Sequence, residues 1–421
     1  MKSETVRNAS LGEEYRKIEH SSGLKVFVYP KPGYSSTYAI FGTDYGSIDN
    51  VLDGREIPEG TAHFLEHKLF ESEEGDAFER FAETGADANA YTTFDKTCYL
   101  FSCSKEVEKN LSILMDFVRH PFFTEETVRK EQGIIGQEIR MYQDNPGTRL
   151  FYSLLDGMYS VHPVKTDIAG TEESISRITA DLLYKCYDNF YNPGNMVLAV
   201  SGNVTPEQVM EIVDRELEGA TGRKIERPHY NEPREVKERF KSETFEISMP
   251  LFALGYKEPA FYPSKPLKDR LITAVYLEYL AGDMSPFYER MLKEGLLNES
   301  FGYSDFSGNG FNAAIFEGIS GDPEKVVKEL KKEISEVKEK GLSEEGFQRI
   351  RKMYYGKAVM SYDNTEGIAN SLVSACFDGS NLYDELSILE RLTKEETEAA
   401  LRKSLNDEYS TVSVILPREA N

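Results

Sequence analysis

Two stretches of this chain, 219 residues apart, are versions of one sequence. TEETVRKEQGIIGQEIRMYQDN (Thr124–Asn145) aligns with SEEGFQRIRKMYYGKAVMSYDN (Ser343–Asn364), so that Met141, Asp144 and Asn145 fall on Met360, Asp363 and Asn364. Upstream, FLEH (Phe64–His67) resembles YLEY (Tyr276–Tyr279) at an offset of 212. Such a duplication implies two domains of one fold, and 421 residues leave room for two domains of about 200 residues each. The boundary is expected in ATGRKIERPHYNEPREVKERFKSE (Ala220–Glu243), which is charged, poor in aliphatics and carries two prolines. The expected organisation is therefore a domain over 1–220, a linker over 221–243 and a second domain over 244–421. Alternating runs such as LKVFVYP and NMVLAVSG are interspersed with helical runs such as KNLSILMDFVRH, without a strict β-α-β rhythm. That pattern predicts an α+β fold, each domain a largely antiparallel sheet packed with helices. No glycine-rich phosphate loop follows a strand, which argues against nucleotide use.

The chemistry concentrates in GTAHFLEHKLFE (Gly60–Glu71), which reads H-x-x-E-H. On a helix His63 and His67 lie one turn apart on one face, so both imidazoles can reach one zinc ion. Glu66 sits beside that face, where it can take a proton from water activated by the metal. Two histidines alone would indicate only a metal site; with the carboxylate they indicate hydrolysis. The small residues Gly60 and Ala62 suit a helix whose start approaches another element closely. His20, His120, His162 and His229 read as ordinary packing or surface residues.

A zinc ion on two histidines needs a further protein ligand, and catalytic sites keep a fourth position open. The candidate stretch is VRKEQGIIGQEIRMYQDNPG (Val128–Gly147), helical in period and ending at Asn-Pro-Gly. Glu131 and Glu138 are seven residues apart, two turns along one face, and spacing alone does not choose between them.

HFLEH followed by Glu138 in QEI resembles the pitrilysin, insulinase and mitochondrial processing peptidase superfamily. GADANAYTTFDKTCYLF (Gly85–Phe101), HPVKTDIAGTEESI (His162–Ile175) and YNPGNMVLAVSGNV (Tyr191–Val204) match further landmarks, and the likeness covers effectively the whole chain. Within the superfamily the sequence is similar to short bacterial intracellular members of the YmfH type, which accompany a sister subunit lacking the zinc motif. The resemblance implies one zinc ion per chain on His63, His67 and Glu138, with Glu66 as general base and Glu131 as an additional catalytic glutamate. It also implies that each chain forms half of a clam-shell chamber closed by a second chain, either an identical copy or the zinc-free sister. Lys68 departs from it, standing where many relatives have an apolar residue. In the second copy the counterparts of His63, His67 and Glu138 are Val275, Tyr279 and Lys357, so that copy has lost every ligand.

NAYTTFDKTCYLF reads as an extended run, and the resemblance makes it the strand beside the zinc. An exposed edge there could hold a substrate backbone by strand addition, with Asn89 and Ala90 as contacts and Tyr303 as a candidate contact from the second half. The expected activity is zinc-dependent endoproteolysis of peptides or unfolded segments. The rival is a non-catalytic scaffold or accessory subunit, which predicts eroded ligands where this chain keeps all four core positions. A formal charge of −23 argues against nucleic acid as partner. No apolar run approaches about 20 residues and the N-terminus lacks a signal peptide's apolar core, so the expectation is no membrane and a cytoplasmic location. Of the four cysteines, Cys98 and Cys103 are expected on one strand about 17 Å apart on opposite faces, too far for a disulfide; reduced thiols are expected throughout.

Overall fold

A computed structural model describes residues 2–73 and 75–418. The strands of its larger sheet in the first half are β1 (Lys2–Asn8), β2 (Glu13–Glu19), β3 (Lys25–Pro30), β4 (Thr37–Thr43), β5 (Asp87–Thr92), β6 (Thr97–Cys103) and β7 (Met196–Gly202). Those of the second half are β8 (Phe240–Phe245), β9 (Leu251–Lys257), β10 (Gly302–Gly308), β11 (Phe311–Ile319) and β12 (Ser410–Pro417). The first sheet runs β1-β2-β3-β7-β4-β6-β5 and the second β8-β12-β9-β11-β10. Each is antiparallel except for one pair, β3 with β7 in the first and β8 with β12 in the second. The parallel pair thus falls at the same place in both orders, and β1–β2 is an extra hairpin on the first sheet. The duplication read from the helices is a duplication of the sheets as well.

The helices that matter here are α1 (Thr61–Leu69), α2 (Glu125–Gln143), α3 (Pro146–Met158), α4 (Leu267–Ala281), α5 (Glu344–Ser361) and α6 (Thr365–Asp378). Asn-Pro-Gly both ends α2 and opens α3: the Asn145 side chain accepts the Thr148 amide as N-cap and Pro146 takes the first turn. The chain divides into two compact units that are not the two halves of the sequence. One comprises the residues up to Ile139, Asp167–Pro228 and Val359–Tyr383; the other comprises Arg140–Thr166, His229–Ala358 and the residues from Asp384. Helix α3 packs on β12, β9 and β8 of the second sheet, and α6 packs on β7, β4 and β3 of the first. A single cut at 221–243 therefore describes one crossing, Pro228 to His229, and misses the exchange of α3 for α6. Equivalent helices of a repeat bury equivalent apolar faces, so either sheet accepts the other copy's helix without a change of pattern.

Two charges of the expected linker are tied into the fold. In the first unit Arg227 pairs with Asp44 at 2.9 Å and with buried Asp49 at 2.8 Å. In the second, Glu232 accepts the amides of Ser160, Val161 and His162 at 2.9, 2.7 and 2.6 Å and pairs with buried Lys257.

His162 is fully buried in that second unit. Its Nδ1 accepts the Val164 amide at 3.1 Å while Nε2 donates to the Asn309 carbonyl at 3.1 Å, so the neutral ring satisfies both nitrogens. Burial, against the pull of the Asn309 carbonyl and Glu232, pushes its pKa down from 6.5 to about 4. A depressed histidine contributes stability that is complete above pH 6.5 and is lost as pH falls toward 4, because the unfolded chain takes up the proton first. The expected loss across that window is about 3 kcal/mol. Urea unfolding of wild type and His162→Gln at pH 7 and pH 4 checks it: the variant should be less stable at pH 7 but less acid-sensitive. Equal acid sensitivity would refute the assignment.

Candidate metal and hydrolytic site

Gly60, the N-cap of helix α1, adopts a left-handed φ of 87°. A Cβ at Gly60 would collide with the Ala169 carbonyl, so the close approach that the small residues predicted is real. His63 and His67 follow on one face of α1, ring centroids 4.6 Å apart. Helix α2 delivers two carboxylates to them. Glu138 lies with Oε1 3.7 Å from His63 Nε2 and Oε2 3.5 Å from His67 Nε2. Glu131 Oε1 lies 3.0 Å from His67 Nδ1. The two glutamates thus bracket the His67 imidazole, one at each nitrogen.

These distances separate two kinds of contact. At 3.0 Å the Glu131 contact is a hydrogen bond, and since a carboxylate only accepts, His67 Nδ1 carries the proton and Nε2 keeps its lone pair. The 3.5 and 3.7 Å separations are too long for good hydrogen bonds. One ligand atom from each of the three residues lies within 4.8 Å of the others, close enough for all three to reach a single ion at about 2.1 Å. His63, His67 and Glu138 therefore fit zinc, and among the described residues theirs is the one His/Cys/Asp/Glu cluster with metal-ligand spacing. Burial and the neighbouring His67, against the Glu138 and Glu131 charges, push His63 down to about 4, leaving it neutral as a ligand must be. Burial also depresses His67, but the Glu131 hydrogen bond and the charges of Glu66, Glu131 and Glu138 outweigh it and raise the pKa.

Glu66 points to the edge strand. Its Oε2 accepts the Thr92 hydroxyl at 2.7 Å, and burial raises its carboxyl above the usual range against the pull of Thr92 and His67. Lys68, the departure from the family pattern, is fully buried and ion-paired with Glu71.

The extended run expected over Asn89–Phe101 is a hairpin of β5 and β6. Thr93 turns the chain: its hydroxyl donates to Asp95 at 2.9 Å and its amide donates to the Lys96 carbonyl at 2.8 Å. Strand β5 is the last of its sheet, paired with β6 alone. Asn89 is exposed and accepts the Ala90 amide on its own Oδ1 at 2.8 Å. Tyr303 belongs to the second unit, where its hydroxyl donates to Glu278, the counterpart of Glu66, at 2.5 Å. Lys357 there lies 5.5 Å from the Tyr354 ring centroid. Cys98 and Cys103 share β6, and all four cysteines are free. Sequence reasoning missed Thr92, which side-chain alternation puts on the same face of β5 as Ala90.

Two sheets of one repeated strand order and a single His-His-Glu cluster among the described residues characterise the chain, and sequence comparison shows which family it belongs to. Residues 53–172 match the insulinase (peptidase family M16) model, and residues 177–354 match that of the peptidase M16 inactive domain. The uncharacterized zinc protease YmfH of Bacillus subtilis (strain 168) is 40% identical over 417 residues, 94% of this chain and 95% of that protein. A solved M16-like peptidase structure from Alicyclobacillus acidocaldarius superposes with a TM-score of 0.93 at 35% identity, covering 98% of this chain and all of that one. A peptidase M16 inactive domain from Pseudomonas fluorescens, 19% identical with a TM-score of 0.82 over 96% of this chain and 99% of its own, shares the fold. The chain belongs to the insulinase family, M16, of the pitrilysin superfamily, and is of the YmfH type.

Proposed function

We propose that the chain is a zinc-dependent endopeptidase acting on peptides or unfolded polypeptide segments. The observation that carries this reading is the placement of Glu66, a half-buried carboxylate on the ligand helix that stands outside the donor set of His63, His67 and Glu138. Zinc on those three residues would polarise the scissile carbonyl and acidify a water molecule. Glu66 accepts the proton of the attacking water and returns it to the leaving amine. Glu131, through Nδ1, fixes the ring and tautomer of His67. The free edge of β5 receives the substrate backbone by strand addition, with Asn89 giving up the Ala90 amide to it. Retention of every core position favours this reading over a scaffold.

Among the described residues there is one donor cluster, in the first copy of the repeat alone, and we infer a working enzyme of two chains of this fold, a homodimer or a heterodimer with a zinc-free sister. Among the described residues no helix is long and apolar enough to cross a membrane, and the four free thiols fit a reducing, cytoplasmic setting. The test is a mixed peptide library incubated with the zinc-loaded chain, alone and with the sister, alongside sizing by light scattering. Cleavage by a two-chain species, abolished by chelator and restored by zinc, is expected. A zinc-loaded two-chain species that cuts nothing would sink the activity, and a fully active strict monomer would sink the assembly.

A further inference from the structure

We propose that Thr92 is a positioning residue for Glu66, holding one carboxylate oxygen so that the other is the proton acceptor. The inference rests on the peptidase reading. Thr92 Oγ1 has one proton, and it goes to Glu66 Oε2 at 2.7 Å, since a carboxylate can only accept. Thr97 Oγ1, 3.4 Å from that hydroxyl, has given its own proton to the Tyr45 carbonyl at 2.9 Å and cannot displace Thr92. Among the described residues no second donor reaches Glu66, so Oε1 is the oxygen left to work.

The strand that carries Thr92 is pinned from both faces at consecutive residues. Thr92 stands opposite Thr97 and faces α1; Tyr91 stands opposite Cys98 and faces α6. The Tyr91 hydroxyl donates to Asn370 Oδ1 at 3.0 Å, and Asn370 Nδ2 donates to the Glu366 carbonyl at 3.0 Å and to the Tyr38 hydroxyl at 3.3 Å. A β-branched threonine keeps few rotamers on such a strand, so its hydroxyl is a fixed point. Glutamate has three rotatable bonds, and a general base displaced by about 1 Å loses on the order of 100-fold in rate.

Thr92→Val, Thr92→Ser and wild type, each zinc-loaded, are compared for metal content, kcat and KM on a cleaved library peptide, with crystal structures of wild type and Thr92→Val. Thr92→Val should keep its zinc, lose on the order of 10–100-fold in kcat with KM changed less than about twofold, and show the Glu66 carboxylate moved off its wild-type position. Thr92→Ser should restore most of the rate. An undiminished kcat in Thr92→Val, an unmoved Glu66, or a serine variant as impaired as the valine would overturn the proposal. If wild type cuts no peptide yet Glu66 moves in Thr92→Val, the peptidase reading falls while Thr92 remains the residue that positions Glu66.

Discussion

Glu66→Gln should fold and bind zinc as the wild-type chain does while its peptide cleavage falls by on the order of 10²–10⁴. The side chain lies on the helix that presents His63 and His67 but outside the donor set, so its charge is not needed to hold the ion. Glutamine keeps the length and an oxygen that can still accept the Thr92 hydroxyl, so packing around α1 is preserved. What it lacks is the capacity to take a proton. Burial, against Thr92 and His67, already raises the Glu66 carboxyl and makes it a stronger base than an exposed glutamate, which increases what the substitution removes. Zinc stoichiometry, thermal unfolding and kcat/KM on one peptide are the measurements. Undiminished turnover, with contaminating proteases excluded, would refute the general-base assignment.

That this residue could be singled out from sequence follows from helix geometry. H-x-x-E-H specifies a face because positions three and four apart must be neighbours, and α1 delivers that face unchanged. The duplication was legible for the same reason: Met141, Asp144 and Asn145 recur at a fixed offset, and the strand orders repeat with them. The exchange of α3 and α6 was hidden, since an amphipathic helix carries no mark of which of two similar sheets will bury it. Spacing could not divide the work between Glu131 and Glu138 either, because both occupy one face of α2. Their separation comes from the His67 ring, whose two nitrogens lie on opposite sides and meet one carboxylate each. Thr92 was missed because an extended run gives no sign of where it folds back: the Thr93 turn sets which strand is the edge and which face meets Glu66.

The same ring geometry predicts opposite metal phenotypes for two chemically identical substitutions. Glu138→Gln replaces an anionic donor lying 3.5 and 3.7 Å from the two Nε2 atoms, and a neutral amide oxygen is a far weaker ligand for a dication. Zinc should fall from one per chain to near none after dialysis, with activity lost in parallel and partly regained in excess zinc. Glu131→Gln leaves all three donors in place. Its amide oxygen can still accept the His67 Nδ1 proton, but without the charge that strengthens the bond and raises ring basicity. Zinc affinity should weaken by roughly 10–100-fold, the range expected when an outer partner of a ligating histidine is altered, and stoichiometric zinc should remain under mild dialysis. Competition with a chromophoric chelator measures both constants on folded protein, independently of any substrate. If Glu131→Gln empties the site while Glu138→Gln keeps its zinc, the two roles are reversed, and the 3.0 Å contact to Nδ1 belongs to the ligand rather than to its support.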